Sequence, residues 1–225
     1  MTAAALDDRV ARLRAFYGPL PSPPHDPFAL YVWDVLNMHA APLKREAALA
    51  ALRRIPALTP DSVWKTPLPK LEAAVGLAGP YMDERVRALR AGADVFRRDP
   101  ALARVVTGPV LGALRALKRL PALGRTGSHR MLLFAAGRPI VPVSPALARV
   151  AVRLGHGSAE GPVGRQARSV RRALGRVLPE DLDARSRVLL MLEHHGQSTC
   201  LEHDPHCHVC PLASDCPDGQ RRLRG

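Results

Sequence analysis

Four cysteines stand near the C-terminus as Cys200-x6-Cys207-x2-Cys210-x5-Cys216, and the 225-residue chain holds no others. Thiolates at these offsets on loops can converge on one point, which suits a metal centre and leaves no spare sulfur. Spacing alone admits a structural zinc, a 4Fe-4S cluster or two disulfides, and disulfides rank last because nothing else in the chain reads as secreted. A second chemical feature lies mid-chain, where Leu120-Pro121-Ala122-Leu123-Gly124-Arg125 separates two amphipathic segments, 110–118 and 128–136. A helix, a tight turn with glycine and a second helix leave backbone N–H groups and a helix dipole open to an anion such as a DNA phosphate. An ordinary helix-helix turn is the alternative reading of the same hexapeptide.

The elements that must position these residues are helical. Apolar residues recur at helical spacing, as in Val86, Leu89, Ala93 and Phe96, in Leu147, Val150 and Leu154, and in Val170, Ala173, Leu174 and Val177. Segments open to a strand reading are short, such as Pro139 to Val143, which prolines at 139, 142 and 145 make an extended connector instead. Boundaries fall at Pro19 to Pro27, at Pro56 to Pro69 and at the glycine-rich stretch Gly155 to Gly164, which gives about nine or ten helices. The basic end Arg221 to Arg224 reads as a frayed tail.

Hydrophobic residues make up 47%, enough for a packed core and too many for a disordered chain. No apolar run approaches the roughly 18 residues that cross a membrane, so no membrane partner is expected. Aspartates at 7 and 8 stand where a secretory signal carries basic and then apolar residues, so the expected location is the cytoplasm, with the nucleoid. A net charge of +13 attracts polyanions, nucleic acid first among them; only four of the cations are lysine, so a solvated arginine surface is the bland alternative.

Downstream of the hairpin come Val143-Ser144-Pro145-Ala146-Leu147-Ala148-Arg149-Val150 and then His195-Gly196-Gln197-Ser198-Thr199 running into Cys200. In this order and at these separations the chain resembles the endonuclease III family of helix-hairpin-helix DNA glycosylases. The likeness covers roughly 26–216 and takes in Asp26-Pro27-Phe28, a helix expected to end at His39, and Gly76-Leu77 ahead of Tyr81. It implies an all-α fold: a six-helix barrel domain over 27–137 that carries the hairpin, and an iron-sulfur domain formed by 1–26 and 138–225. It also implies a 4Fe-4S cluster on Cys200, Cys207, Cys210 and Cys216. The implied partner is damaged double-stranded DNA lying across the cleft between domains, bound by a monomer through Leu120, Ala122, Gly124, Arg125 and His39.

The chain departs from that family where the chemistry sits. The family lysine that forms a Schiff base at the sugar is Thr126 here, which has no amine, and Arg125 cannot substitute because its guanidinium stays protonated. The family aspartate that stabilises charge growing on the sugar is Ser144, and losing such a group removes about a hundredfold to a thousandfold of rate. Ser144 followed by Pro145 reads instead as a helix N-cap. The histidine that often follows the aspartate is Ala146, the hairpin's first glycine is Ala122, and the glutamine that fills the gap left by a flipped base is His39. The loop Leu201 to His206 offers Glu202 and Asp204 where relatives often offer cations. Asp34 is a conceivable replacement carboxylate. The resemblance implies a base-excision DNA glycosylase whose AP-lyase activity is weak or lost. The alternative is a non-catalytic lesion-binding or structural 4Fe-4S protein; a redox or iron sensor would need the cysteines alone.

Overall fold

The computed structural model describes residues 2–55 and 58–224, and among them it contains helices and no strand. Pro56, the first proline of the expected 56–69 boundary, lies outside the described residues. The chain divides into two compact units, one of Pro23–Ile140 and one joining Met1–Ser22 to Val141–Gly225. In chain order, α1 (Ala3–Tyr17) belongs to the second of these. The middle unit holds α2 (Pro27–Leu36), α3 (Pro42–Arg53), α4 (Pro60–Lys65), α5 (Leu68–Gly76), α6 (Met82–Arg98), α7 (Leu102–Thr107), α8 (Val110–Leu117) and α9 (Gly124–Arg130), which runs on into a π-helical turn, Met131–Ala135. The terminal unit continues with α10 (Pro145–Arg153), α11 (Val163–Gly175), α12 (Leu182–Ser198), two short 3-10 turns and α13 (Pro217–Arg224).

Thirteen α-helices among the described residues exceed the nine or ten expected, because pieces such as the six-residue α4 and α7 are too short to show a period. Set apart, these two leave six longer helices in the middle unit. The expected frayed end is instead α13: Pro217 starts it, and Asp218 pairs with Arg221 and Arg222 at 2.5 and 2.7 Å. Starts follow local signals. Asp26 accepts the Ala29 N–H at 2.8 Å ahead of Pro27, Thr59 and Ser62 form a capping box around Pro60, and Ser144 accepts the Leu147 N–H at 3.2 Å ahead of Pro145.

The core of the middle unit is α2, in which Phe28, Leu30, Tyr31, Val32, Trp33, Asp34, Val35 and Leu36 are all buried. A helix covered on nearly every face is a core helix, and each such aliphatic or aromatic side chain contributes about 1.5–3 kcal/mol. Gly92 lets α6 close on it, since a Cβ there would collide with the Tyr31 ring. The Tyr31 hydroxyl lies 2.6 Å from the Ala88 carbonyl and 3.1 Å from that of Pro121, so the core reaches the hairpin directly. Burial, and then the charge of Asp34, hold this phenol far above its ordinary range.

In the terminal unit α12 packs on α10, and Gly196 permits the approach: a Cβ there would fall 2.6 Å from the Ala146 carbonyl oxygen. Arg9 of α1 joins the chain's two ends, donating to Asp215 Oδ2 at 2.9 Å and to the carbonyls of Leu154 and Asp215. Beside it His156 is buried, and its Nε2 has no hydrogen-bond partner among the described residues. Burial first, and the Arg9 charge after it, bring its pKa down to about 4. The unfolded chain therefore binds a proton near pH 6.5 that the folded chain refuses until about pH 4, so this group makes stability rise with pH across that window. Urea unfolding should show stability lower at pH 5 than at pH 7, and His156→Phe should remove roughly 1–3 kcal/mol of that difference. An unchanged difference in the variant would contradict the assignment.

Candidate functional site

The hairpin is built from alternating anchors and exposed backbone. Leu120 and Leu123 are buried, while Ala122, Gly124 and Arg125 are exposed. Ala122 holds φ +61° and Gly124 φ +57°. Glycine takes this left-handed region freely, whereas an alanine in it costs about 1–2 kcal/mol. The turn thus keeps its shape at a residue that resists it, and the helix after it starts at Gly124, four residues ahead of the segment whose period announced it. Arg115, Lys118 and Arg125 line an open groove between α8 and α9 with Leu111, Leu114 and His129. Thr126 sits half-buried in the first turn of α9.

A few residues further along α9, Arg130 forms an ion pair with Asp34 of α2, both side chains about 7% exposed. The guanidiniums of Arg45 and Arg130 lie 4.4 and 5.6 Å from the centre of the Trp33 ring. Gly127 backs directly onto Asp34, leaving no room for a Cβ. Asp34, considered above as a replacement carboxylate, is therefore engaged in a buried pair.

The helix expected to end at His39 ends at Leu36, and a turn through Asn37 and Met38 delivers His39 exposed at φ +51°. Its ring stacks on Tyr81, centroids 4.9 Å apart and tilted by 39°. Tyr81 is itself left-handed, at φ +68°, and 50% exposed. Two non-glycine residues in this conformation side by side mark a place where backbone strain is held by its surroundings. What holds it is Arg85, wholly buried, which donates to the carbonyls of Met38, Gly79 and Pro80 and so ties both turns together. Burial lowers its pKa from the usual guanidinium value. Tyr81 had served only as a landmark in the sequence; Gly79-Pro80 marks a turn there, but nothing local places an aromatic ring against His39.

In the terminal unit Ser144 lies buried at the start of α10, its hydroxyl used in the cap. The four cysteines are unpaired thiols that line one cavity, which removes the disulfide reading. Cys200 follows α12, Cys207 and Cys210 bracket a 3-10 turn, and Cys216 precedes α13. Donors point at the sulfurs: Arg153 Nη1 at 3.2 Å from Cys200, the Leu212 N–H at 3.4 Å from Cys210 and the Gly219 N–H at 3.4 Å from Cys216. His195 Nε2 lies 3.6 Å from Cys210, and its Nδ1 lies 2.7 Å from the Tyr17 hydroxyl, which also donates to Thr199 at 2.6 Å. Burial keeps His195 neutral, with its pKa down to about 4, and raises Tyr17 to about 12. Burial likewise raises the Cys207 thiol, and Cys210 to about 11. Among the described residues no three His, Cys, Asp or Glu side chains are gathered closely enough to hold a single ion. Arg149 donates to the carbonyls of Cys200 and Gly196 and lies 4.0 Å from Glu202, so a cation faces part of the acidic loop.

The described residues form two helical units, one with an exposed hairpin and one with the four cysteines on a single cavity. No protein-family model matches the chain. Among solved structures it aligns over the whole of both chains with a non-covalent endonuclease III–DNA complex, at 20% identity and a TM-score of 0.73. A thermostable thymine-DNA glycosylase matches at 16% identity and a TM-score of 0.71, with 97% of this chain and 96% of that one covered. A 3-methyladenine DNA glycosylase from H. pylori, bound to 1,N6-ethenoadenine, matches at 13% identity and 0.67, covering 90% of this chain and all of that one. The chain has the fold of endonuclease III.

Proposed function

We propose that this protein binds damaged double-stranded DNA in base-excision repair, with the hairpin holding the backbone and the AP-lyase chemistry of endonuclease III lost. The observation that carries the reading is the hairpin itself: Ala122 keeps a left-handed turn at a cost, and it leaves Gly124 and Arg125 exposed above two buried leucines. Exposed N–H groups at the helix start suit one phosphate, and Arg115, Lys118 and Arg125 suit its neighbours. The stacked His39 and Tyr81 rings suit the gap left by an extruded base, where stacking on aromatic faces replaces the lost neighbour. Likeness of fold to endonuclease III held on DNA supports the same use of the scaffold.

Thr126 supplies no amine for a Schiff base. Hydrolytic removal of a base, without that intermediate, remains open to such a site. A second reading, lesion binding with no base chemistry at all, is favoured by two features: Ser144 Oγ is spent on its cap and Asp34 on its ion pair. We assign a 4Fe-4S cluster to Cys200, Cys207, Cys210 and Cys216, supported by the cavity that the four share, by the N–H donors aimed at sulfur and by the likeness of fold to endonuclease III. When bound, such a cluster supplies a cross-link between α12, the loop and α13.

Anaerobically purified protein should contain iron and acid-labile sulfide in equal amounts, about four of each per chain; zinc in their place would overturn the assignment. In titrations at fixed salt the protein should prefer a duplex carrying an abasic site over an intact one, and equal affinity would sink lesion recognition. The paired substitutions Thr126→Lys and Ser144→Asp should then confer abasic-strand cleavage at least about a hundredfold above the parent. Absence of cleavage in a variant that still prefers the lesion would show that these two positions are not where the family's chemistry sits.

A further inference from the structure

The terminal unit carries a charged surface that neither the hairpin nor the cysteines use. Helix α11 and its C-cap contain Arg165, Arg168, Arg171, Arg172 and Arg176, and no acid occurs between Glu160 and Glu180. At 3.6 residues per turn, Arg165, Arg168, Arg172 and Arg176 fall within about 80° of one another around the axis, a single stripe about 16 Å long. All four are exposed, and no ion pair engages any of them among the described residues. Several exposed arginines elsewhere are paired, Arg221 and Arg222 with Asp218 and Arg119 with Asp99, whereas these four stand together on one helix face.

The stripe is also fixed in direction. Val170 and Leu174, on the opposite face, are fully buried. The loop ahead of the helix is tied to it where Ser169 Oγ accepts the Ser158 N–H at 2.9 Å and Gln166 donates to the Ala159 and Gly161 carbonyls at 2.6 and 3.1 Å. Arg171 Nε donates to the Val141 carbonyl at 3.2 Å, which pins the side of the helix beside the stripe. The roll of α11 is therefore set by its core face and these bonds, and four guanidiniums stand outward without an internal counter-charge.

We infer that this face of α11 is a second, sequence-independent track for a phosphodiester backbone, and that it binds duplex DNA outside the hairpin site. A strand's phosphates advance by 3.4 Å along the duplex axis, so a stripe of this length runs beside about five of them. Guanidinium forks match phosphate oxygens two at a time. An anionic lipid surface fits less well, because Val170 and Leu174 on the apolar side of α11 are buried in the core and Val163 is the one bulky apolar side chain of the helix that is exposed, too little for an apolar row to enter a membrane interface. The choice of duplex rests on the proposed function; the test separates the two by scoring intact DNA and lesion preference independently.

The full-length protein with Arg165, Arg168, Arg172 and Arg176 all changed to Gln is compared with the parent on intact and abasic duplexes from about 0.05 to 0.2 M salt. The slope of log affinity against log salt should become shallower by about three, and affinity for both duplexes should fall at least roughly tenfold, with the preference for the abasic one unchanged. The matching change of all four to Lys should keep the slope, and circular dichroism should show both variants as helical as the parent. If the Gln variant keeps the parental slope and affinity, the inference is wrong. If it keeps DNA binding but loses adhesion to phosphatidylserine vesicles, the stripe faces a membrane and the inference is again wrong. If the Lys variant loses the slope as fully as the Gln variant, charge is not the cause and the phosphate track is refuted. Loss of lesion preference in the parent would count against the proposed function alone.

Discussion

The buried ion pair between Asp34 and Arg130 is the constraint from which the middle unit's functional surface follows. It joins the core helix α2 to the helix that follows the hairpin, with Trp33 beside the guanidinium and Gly127 flush against the carboxylate. Removing one partner from such a pair strands the other charge in the interior and costs about 3–5 kcal/mol. While the pair holds, α9 has one position against α2, and the turn before it is carried along. The Tyr31 hydroxyl adds a second tie at Pro121. Between them they present Ala122, Gly124 and Arg125 to solvent and fix Thr126 one turn before Arg130.

The same pair limits the chemistry. A carboxylate close to the hairpin would have been a natural source of a replacement acid, but Asp34 is held by a permanent cation. Ser144 shows a comparable economy in the other unit, where the residue type that can still begin a helix has been kept without a carboxylate. In both places a polar side chain serves the fold: Ser144 caps α10 and Asp34 pairs with Arg130. The exposed hairpin, the stacked His39 and Tyr81 rings and the arginines of α11, on which the proposed DNA binding rests, need neither Thr126 nor Ser144.

What could be read from the sequence was local. Ser144-Pro145 and Asp26-Pro27 begin helices through bonds three residues long, and the hairpin announces itself by proline and glycine between apolar runs. That the four cysteines share one place was legible from their spacing, and the structure sets them around a single cavity. What escaped was set at a distance. The end of α2 and the exposure of His39 depend on Arg85, 46 residues away in the chain, and its bonds to carbonyls that no residue pattern records. Tyr81 acquires its meaning from the same arginine. The C-terminal arginines looked like a tail until Asp218 was seen to pair with them, and the stripe on α11 was hidden within an ordinary amphipathic period.

Borohydride trapping of the unaltered protein on an abasic duplex addresses the central claim most directly, because it captures a Schiff base wherever one forms. Under conditions where the duplex is demonstrably bound, the account predicts no covalent protein–DNA adduct above the level seen with borohydride-treated intact duplex. A strong adduct would contradict it, and would mean that an amine elsewhere in the chain reaches the sugar although residue 126 is threonine.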